Sequence, residues 1–530
     1  MKKFRIFLLL FVVMVFQPCS GQENYIAKGL KAISQDVLKA QMGFLASDWT
    51  EGREAGEKGE YIAGDYIASM LQLYGVKPGG DYIRTWGYNI NSQRTYFQHF
   101  TLLKTEQGDK HVMKVKSTDG LTVKTISLTY NTDFFFRAAD REVEIEAPVV
   151  FAGYGFKNES LKYNDFANLD VKGKFIFKIS GVPEFAGKKL TSSELSASAR
   201  DTENMLRKMG AAGILEFNPA STTVGYSPVA DFLNMSPSEA TPRSRQPYER
   251  YSLPGRAGSG NFVRISVSSK AAGEILDGSD IMIDDYIKAA DSGKQSKLPS
   301  ATSKTIYLKT DVKSTPIVVR NVIGIIEGND PEQIVILGAH YDHEGMNNGY
   351  IWNGADDNAS GTVGILTLAK AIMETGKKPE KTIIIALWTA EEKGLLGSRY
   401  YVNNLSYPKE NLRLNLNFDM ISRYVSDDEP NRVTMTYTSS CPEFKDITVK
   451  NLKEYGIDLD VIYEPSDDPP GGTDHRSFVE AGIQVMRFKP GHREEYHTPA
   501  DEVDTVDWDI MEKIVRISFT NIWELVNSSW

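Results

Sequence analysis

The C-terminal half of the sequence predicts an α/β fold with a mixed, mostly parallel sheet that is covered by helices on both faces. From about residue 315 onward, predicted strands and helices alternate along the chain. The segments 333–339 and 383–389 are almost entirely apolar, which indicates strands buried on both faces. Between them, residues 359–375 show apolar residues at helical spacing. These three observations predict helices packed on a central sheet.

Further elements follow the same reasoning in chain order. Two amphipathic helices are predicted at 33–47 and 58–74, because apolar residues recur there at three- and four-residue steps. The remaining predicted elements of the C-terminal half are a strand or hairpin at 317–326, strands at 413–418, 459–463 and 484–488, and helices at 395–402, 443–455 and about 508–526.

The segment from about residue 100 to residue 300 has a different character. Short alternating runs such as 143–146 and 174–178 are separated by turn residues, a pattern typical of β-structure. A polar stretch rich in Ser, Lys and Pro closes this segment at 294–303. We therefore expect a β-rich insert within the α/β domain.

Length, charge and the N-terminus limit the possible functions. The 530 residues suffice for two or three domains, and the formal net charge of −10 argues against nucleic acid as a partner. Residues 1–21 resemble a cleaved signal peptide, because a basic start precedes an apolar run at 6–16 that is too short to span a bilayer. We expect an exported protein, periplasmic or secreted, without a transmembrane segment. A lipid anchor at Cys19 is the less favoured alternative, since Pro18 fits a lipoprotein cleavage site poorly.

Five short stretches in the C-terminal half supply imidazole and carboxylate groups without any thiolate, which is the donor set of a catalytic zinc site. Several of them follow predicted strands, and ligands bind beyond the carboxyl ends of parallel strands. Each stretch alone is a common turn or cap, but together and in this order they predict one metal site. The stretches are 338–342, 354–358, 390–392, 417–419 and 495–499.

The residue types suggest two metal ions. His340 with Asp419 could hold one ion, and Glu392 with His497 could hold the other. Asp356 opens a turn rich in Gly and Asn before a helix, and we expect its carboxylate to bridge both ions.

Two further acidic residues are candidates for catalysis. Asp342 lies two residues after His340, so we expect its carboxylate to accept the second ring N–H of that histidine. Glu391 and Glu392 are adjacent at a strand end and should point to different sides. Glu391 is then the expected general base for a water molecule held between two zinc ions about 3.5–4 Å apart.

The other histidines are less informative. His343 and His475 could either support the site or form ordinary hydrogen bonds, and the sequence leaves both roles open. For His492, His99 and His111 we expect ordinary surface positions.

As a set, these motifs resemble the exported bacterial zinc aminopeptidases of the leucyl aminopeptidase type. Their superfamily includes glutamate carboxypeptidase II, glutaminyl cyclases and the transferrin receptor. The similarity covers about 41–100 and 316 to the C-terminus, and residues 472–475 with Phe478 resemble a substrate-side motif. It implies a cis peptide between Asp356 and Asp357, Glu391 as the base and Tyr496 as a hydrogen-bond donor to the oxyanion. The metal ligands that it implies are His340, Asp356, Glu392, Asp419 and His497.

The middle segment resembles a protease-associated (PA) domain at 147–155, 170–174 and 210–214. Such inserts imply a lid or a substrate-access module. We therefore expect the catalytic peptidase domain at 22–105 and 303–530, with the PA-like insert at 106–302.

The leading hypothesis is a two-zinc aminopeptidase that acts on peptides. Carboxypeptidase action stays open, although it would need a cationic pocket that the sequence does not reveal. A glutaminyl cyclase would use a single zinc, and a receptor-like binding protein would lack the ligands. The acidic stretch 464–474 is either a receptor for the substrate's α-ammonium group or a solvated loop.

Overall fold

The computed structural model describes residues 25–83, 93–119, 122–136, 142–221, 224, 249–255, 262–293, 301–347, 349–424 and 426–530. The expected signal peptide, Cys19 and most of the polar stretch at 294–303 lie outside these residues. None of the helices within these ranges is long and apolar enough to cross a membrane.

The main domain is built on a ten-stranded mixed sheet, as far as the described residues extend, which confirms the predicted α/β class. Both flanks join the four central parallel strands through antiparallel pairs, so parallel pairing dominates the centre rather than the whole sheet. The central strands, in spatial order, are Lys381–Trp388, Asp330–His340, Leu412–Phe418 and Gln484–Lys489. One flank contains Val312–Ile326, Phe97–Gln107, Glu249–Ser252 and Lys77–Pro78, and the other contains Arg432–Tyr437 and Asp460–Pro465.

Helices cover both faces of this sheet, because alternate residues of a strand point to opposite sides. Val335 and Leu337 lie in a core shared with the helix Trp508–Asn527, whereas Ile334 and Ile336 lie in the core on the opposite face. The α-helices described in this domain are Tyr25–Ala32, Gln35–Leu45, Lys58–Leu73, Gly361–Glu374, Leu396–Asn403, Glu443–Glu454, His475–Glu480 and Trp508–Asn527.

The middle segment forms a second sheet, eight-stranded within the described residues, with a core of its own. Its strands, in spatial order, are Thr122–Leu128, Val112–Asp119, Ala301–Lys309, Glu144–Phe151, Phe175–Ile179, Gly213–Phe217, Val263–Val267 and Phe134–Phe136. Its α-helices are Glu184–Gly187, Ser192–Lys208, Ser269–Leu276 and Ile283–Asp291.

The second sheet departs from the predicted insert in two places. The strand Ala301–Lys309 pairs within it, so the sheet extends beyond the expected boundary at residue 302. The strand Glu249–Ser252 leaves it and pairs with Phe97–Gln107 at the edge of the large sheet. The chain therefore crosses between the two sheets more often than the sequence pattern suggests.

Candidate metal centre

Three of the residues proposed as metal ligands, His340, Glu392 and Asp419, lie at or just beyond the carboxyl ends of neighbouring parallel strands. His340 is the last residue of its strand, and Asp419 follows the end of the next strand. Glu391 and Glu392 come shortly after the strand on the other side, where Ala390 adopts a φ of 55° and turns the chain. The sheet thus brings together side chains that are far apart in the sequence.

The carboxylate of Asp357 lies between two imidazole rings. His340 Nε2 is 3.4 Å from Asp357 Oδ1, and His497 Nε2 is 2.9 Å from Asp357 Oδ2. Each imidazole also approaches another carboxylate. His340 Nε2 is 3.7 Å from Asp419 Oδ1, and His497 Nε2 is 3.4 Å from Glu392 Oε2. One carboxylate therefore joins two groups of nitrogen and oxygen donors.

The expectation that Asp356 supplies this shared carboxylate is wrong by one position. Asp356 Oδ1 accepts hydrogen bonds from the hydroxyl and the amide of Ser422, at 2.7 and 2.9 Å. The backbone amides of Asp356 and Asp357 both donate to Asp501 at 2.9 Å, which fixes the turn with Asp357 facing the histidines. The cis peptide is likewise displaced by one residue, since it lies between Asp357 and Asn358.

Asp342 supports the site in a different way from the one expected. His340 Nδ1 is 3.2 Å from the backbone carbonyl oxygen of Asp342 but 3.8 Å from its carboxylate. The carbonyl is therefore the closer acceptor for the ring N–H, an arrangement that leaves Nε2 for a metal. The Asp342 carboxylate instead accepts from the amides of Glu391 and Glu392, at 3.1 and 3.4 Å. It thereby holds both acidic residues in position.

The side chains of Glu391 and Glu392 diverge. Glu392 Oε1 is 2.8 Å from His343 Nδ1, so His343 supports a candidate ligand, which is one of the two roles left open for it. The Glu391 carboxylate lies within reach of His340 and Asp419, but within the described ranges it has no hydrogen bond or ion pair. Burial raises the pKa of Glu391 well above its ordinary value, and Glu392 adds to this effect whereas His340 opposes it.

The electrostatics of the cluster fit divalent cations. Burial raises the pKa of the neighbouring Asp474 to about 7, with nearby carboxylates adding to the effect. Burial alone would lower the pKa of His497, but Glu392 and Asp357 raise it to about 11. Several of these nitrogen and oxygen donors lie within 4.8 Å of one another. A buried surplus of carboxylates with imidazole donors is the environment that zinc prefers, so these residues fit the expected ions.

Tyr496 lies at the edge of the cluster. Its ring stacks on His497 with centroids 3.8 Å apart, and the residue is 40% exposed. Burial, together with Asp357 and other carboxylates, raises the pKa of the phenol, which therefore stays protonated and can donate a hydrogen bond. His492 is exposed, as expected, and its ring lies 4.9 Å from that of Tyr496.

The acidic stretch 464–474 does not form a single patch. Asp468 pairs with Arg476 and has a side chain that is 79% exposed. Asp474, in contrast, is fully buried beside the cluster. The buried end of this stretch, at Asp474, therefore lies beside the candidate site, whereas Asp468 is paired at the surface.

Arg53 is a residue of this region that sequence reasoning missed. Its guanidinium is fully buried and connects the strand end that carries His340 to the turn that carries Asp357. The only local signal was a charged residue in the Gly-containing loop 50–56, and nothing there indicates contacts so distant in sequence. Its nitrogens donate over 2.6–3.0 Å to the backbone carbonyls of Leu45, Tyr341, Asn353 and Gly354.

Comparisons with known sequences match the part of the chain that contains the candidate metal centre. The sequence profile of Peptidase family M28 matches residues 321–522. Leupeptin-inactivating enzyme 1 from Streptomyces exfoliatus is 35% identical over 171 residues, which are 31% of this chain and 34% of that protein. The probable leucine aminopeptidase 2 of Aspergillus oryzae is 33% identical over 205 residues, covering 37% and 38% of the two chains. The chain thus spans only about a third of the length of these curated relatives.

The fold as a whole also resembles a solved structure. An aminopeptidase from Aneurinibacillus sp. strain AM-1 superimposes with a TM-score of 0.56 over 95% of this chain and 98% of that chain. The sequence identity is 17%, so this likeness concerns the fold alone. The segment matched by the family profile contains all the candidate metal donors, from His340 to His497.

Proposed function

We propose that this chain, which belongs to peptidase family M28 through residues 321–522, is an aminopeptidase that binds two zinc ions and removes N-terminal residues from peptides. One observation carries the proposal: the carboxylate of Asp357 lies between His340 and His497, and each histidine also approaches a second carboxylate. The family match and the leucine aminopeptidase relatives support zinc-dependent peptide hydrolysis.

The metal donors and Glu391 have different roles in the proposed reaction. Zinc bound by these donors would polarise the scissile carbonyl and lower the pKa of water. Glu391 is the base in this proposal, because its carboxylate faces the cluster without a partner among the described residues. It takes a proton from the attacking water and passes it to the leaving amine.

Tyr496 is positioned to stabilise negative charge that develops on the carbonyl oxygen. Its phenol is partly exposed beside His497 and remains protonated, so it can donate to an oxyanion that forms there. Asp342 does not take part directly. Its role is to hold the amides of Glu391 and Glu392 so that their carboxylates stay at the site.

The carboxylates around the site favour a substrate with a free α-ammonium group. Each charge-assisted hydrogen bond to that ammonium is worth about 1.5–3 kcal/mol, or roughly 10- to 150-fold in kcat/KM. We therefore expect N-acetylation of a good tetrapeptide substrate to abolish most cleavage. Amidation of its C-terminus should matter little, because that end lies far from the scissile bond.

The test compares kcat/KM of the zinc-loaded protein for the free, the N-acetylated and the C-terminally amidated tetrapeptide. Cleavage of the free and amidated forms, but not of the acetylated form, supports an aminopeptidase. Cleavage of the acetylated form together with failure on the amidated form would assign the protein as a carboxypeptidase.

A cyclase and a receptor-like protein both lack support from the geometry. The glutaminyl cyclases of the superfamily work with a single zinc, whereas donors for two ions meet around Asp357 here. The receptor branch lacks the metal ligands. The complete set of donors therefore favours a peptidase.

Two expectations from the sequence remain part of the proposal. We infer export to the periplasm or the medium through the signal peptide at 1–21, in preference to lipid anchoring at Cys19. The PA-like segment would control access of the substrate. The N-terminal sequence and intact mass of the mature protein test the first point, since a lipid anchor would leave an acylated cysteine.

A further inference from the structure

Two cationic side chains lie directly beside the candidate metal ligands. The strand Gln484–Lys489 runs parallel to the strand that leads to Asp419, with Arg487 in register with Asn417. Continuation of this register sets Lys489 next to Asp419. Residues in register on adjacent strands project from the same face of the sheet, so both cations share the face of Asp419.

Within the ranges that the structure describes, the side chains of Arg487 and Lys489 form neither a hydrogen bond nor an ion pair, and the buried Nε of Arg487 has no partner. Both side chains are partly buried. A buried cation without a partner is unfavourable, because it has lost water and gained nothing in exchange. Burial accordingly lowers the pKa of both groups, and Asp419 only partly offsets this effect.

Two other cations near the site, Lys393 and Arg423, have carboxylate partners, in contrast to Arg487 and Lys489. Lys393 lies 3.2 Å from Glu54 and 3.3 Å from Glu344. Arg423 lies 3.3 Å from the Asp501 carboxylate. Among these four cations, the two without a partner in the described ranges lie on the last strand of the parallel group.

Within the described part of the chain, the residues around Arg487 provide no hydrogen-bond partner for its side chain. Gly471 lies against the guanidinium, since a Cβ at that position would stand 3.0 Å from Arg487 Nη1. His475 is buried. Burial, together with the nearby positive charge of Arg487, lowers the pKa of His475 to about 4, so its side chain stays neutral and adds no charge. Glu464 is exposed and lies two strands away from Arg487, with Thr436 on the strand between them.

We propose that Arg487 and Lys489 bind a carboxylate of the substrate, a specificity that rests on the aminopeptidase function proposed above. Arginine binds a carboxylate through two parallel N–H donors, and lysine adds a point charge beside it. The carboxylate has two possible sources: the side chain of an N-terminal Glu or Asp, or the α-carboxylate of a dipeptide. Both place a negative charge next to the scissile bond. Substrates that begin with Lys or Arg should be disfavoured.

The test uses two matched pairs of substrates with the zinc-loaded protein. The first pair is two C-terminally amidated tetrapeptides that differ only in Glu or Gln at the N-terminus, which isolates the side-chain carboxylate. The second pair is Leu-Gly and its amide, which isolates the α-carboxylate. We expect the charged member of at least one pair to be preferred by about tenfold or more in kcat/KM.

Variants at these two positions test whether the cations cause the preference for the charged substrate. Arg487→Gln and Lys489→Gln should bring the preferred ratio down toward one, whatever happens to the absolute rates, and Arg487→Lys should keep part of it. Arg432→Gln is the matched control, because Arg432 lies on the adjacent strand and pairs at the surface with Asp460. It should leave the ratio unchanged.

Each outcome decides the question. Ratios within about twofold in both wild-type pairs would overturn carboxylate recognition while leaving the aminopeptidase proposal intact. Variants that slow all substrates equally, with the ratio preserved, would also overturn it, because the cations would then only offset the charge of the cluster. Failure to cleave any peptide with a free N-terminus would refute the proposed function itself. If the variants do not fold, the wild-type ratios alone decide.

Discussion

Buried acidic side chains have different kinds of neighbours in the two sheet regions of this chain. In the region of the second sheet, Asp165 accepts hydrogen bonds from the hydroxyl of Tyr286 at 2.7 Å and from the amide of Phe156 at 3.0 Å. Beyond the large sheet, Asp357 lies among imidazoles and other carboxylates. Neutral donors satisfy Asp165, so it needs no ion.

The comparison shows that burial alone does not identify a functional carboxylate. Burial raises the pKa of Asp165, and hydrogen bonds from the backbone and from tyrosine hydroxyls oppose that effect. The carboxylates around Asp357 are too close together for neutral donors to satisfy all of them. A cluster of this kind is stable when cations share it, and we attribute that role to zinc.

Loss of the shared carboxylate should have the largest effect. Asp357→Asn removes the charge that offsets the repulsion between two cations, so we expect loss of both zinc ions and activity at background. Asp356→Asn is the matched control, because Asp356 contacts Ser422 instead of the histidines, and it should retain zinc. Metal analysis after dialysis distinguishes them. If only the Asp356 variant lost zinc, Asp356 and not Asp357 would be the shared ligand.

The proposed base should have the next largest effect. Glu391→Gln keeps the shape of the side chain but removes the proton acceptor, so turnover should fall by about 10²- to 10⁴-fold with zinc retained. The comparison variant is Glu392→Gln, which should lose zinc because it alters a candidate ligand. Near-normal turnover in fully metallated Glu391→Gln would assign the base to another group.

Arg53 should have a smaller but measurable effect. Arg53→Met removes the donors that connect the strand end carrying His340 to the turn carrying Asp357. Loss of such support for ligands typically weakens metal binding by about 10- to 100-fold. Arg53→Lys keeps a charge without the planar set of donors and should recover only part of the affinity. Zinc titration with a chromophoric chelator measures the change, and an unaltered affinity in Arg53→Met would contradict the assigned role.

The smallest effect on activity is expected in the second sheet. Tyr286→Phe removes a donor to the buried Asp165, which should cost about 1.5–3 kcal/mol of local stability. Faster hydrogen exchange in the strand Phe175–Ile179 would report that loss. Zinc content and kcat/KM should stay at wild-type values, and a fall in either would show that the two regions are not independent.

The sequence was sufficient to predict the strand ends that carry the site. Largely apolar segments identify buried parallel strands, and their carboxyl ends place His340, Glu391 and Glu392 at one edge. These inferences need only local patterns, which a single sequence contains.

The sequence was not sufficient where contacts between residues far apart in the chain determine the local structure. The choice between Asp356 and Asp357 depends on Asp501, which binds both amides from about 145 residues away. The burial of Arg53 depends on carbonyls about 300 residues away. The pairing of Glu249–Ser252 with the large sheet depends on a neighbour that no local pattern indicates.

The position of zinc relative to Asp357 tests the central claim most directly. A crystal structure with anomalous diffraction at the zinc absorption edge would locate each ion. We predict two peaks on either side of the Asp357 carboxylate, each about 2.0–2.2 Å from one of its oxygens. One peak should lie beside His340 and Asp419, and the other beside His497 and Glu392. A single peak, or ions bound to Asp356 instead of Asp357, would contradict the account.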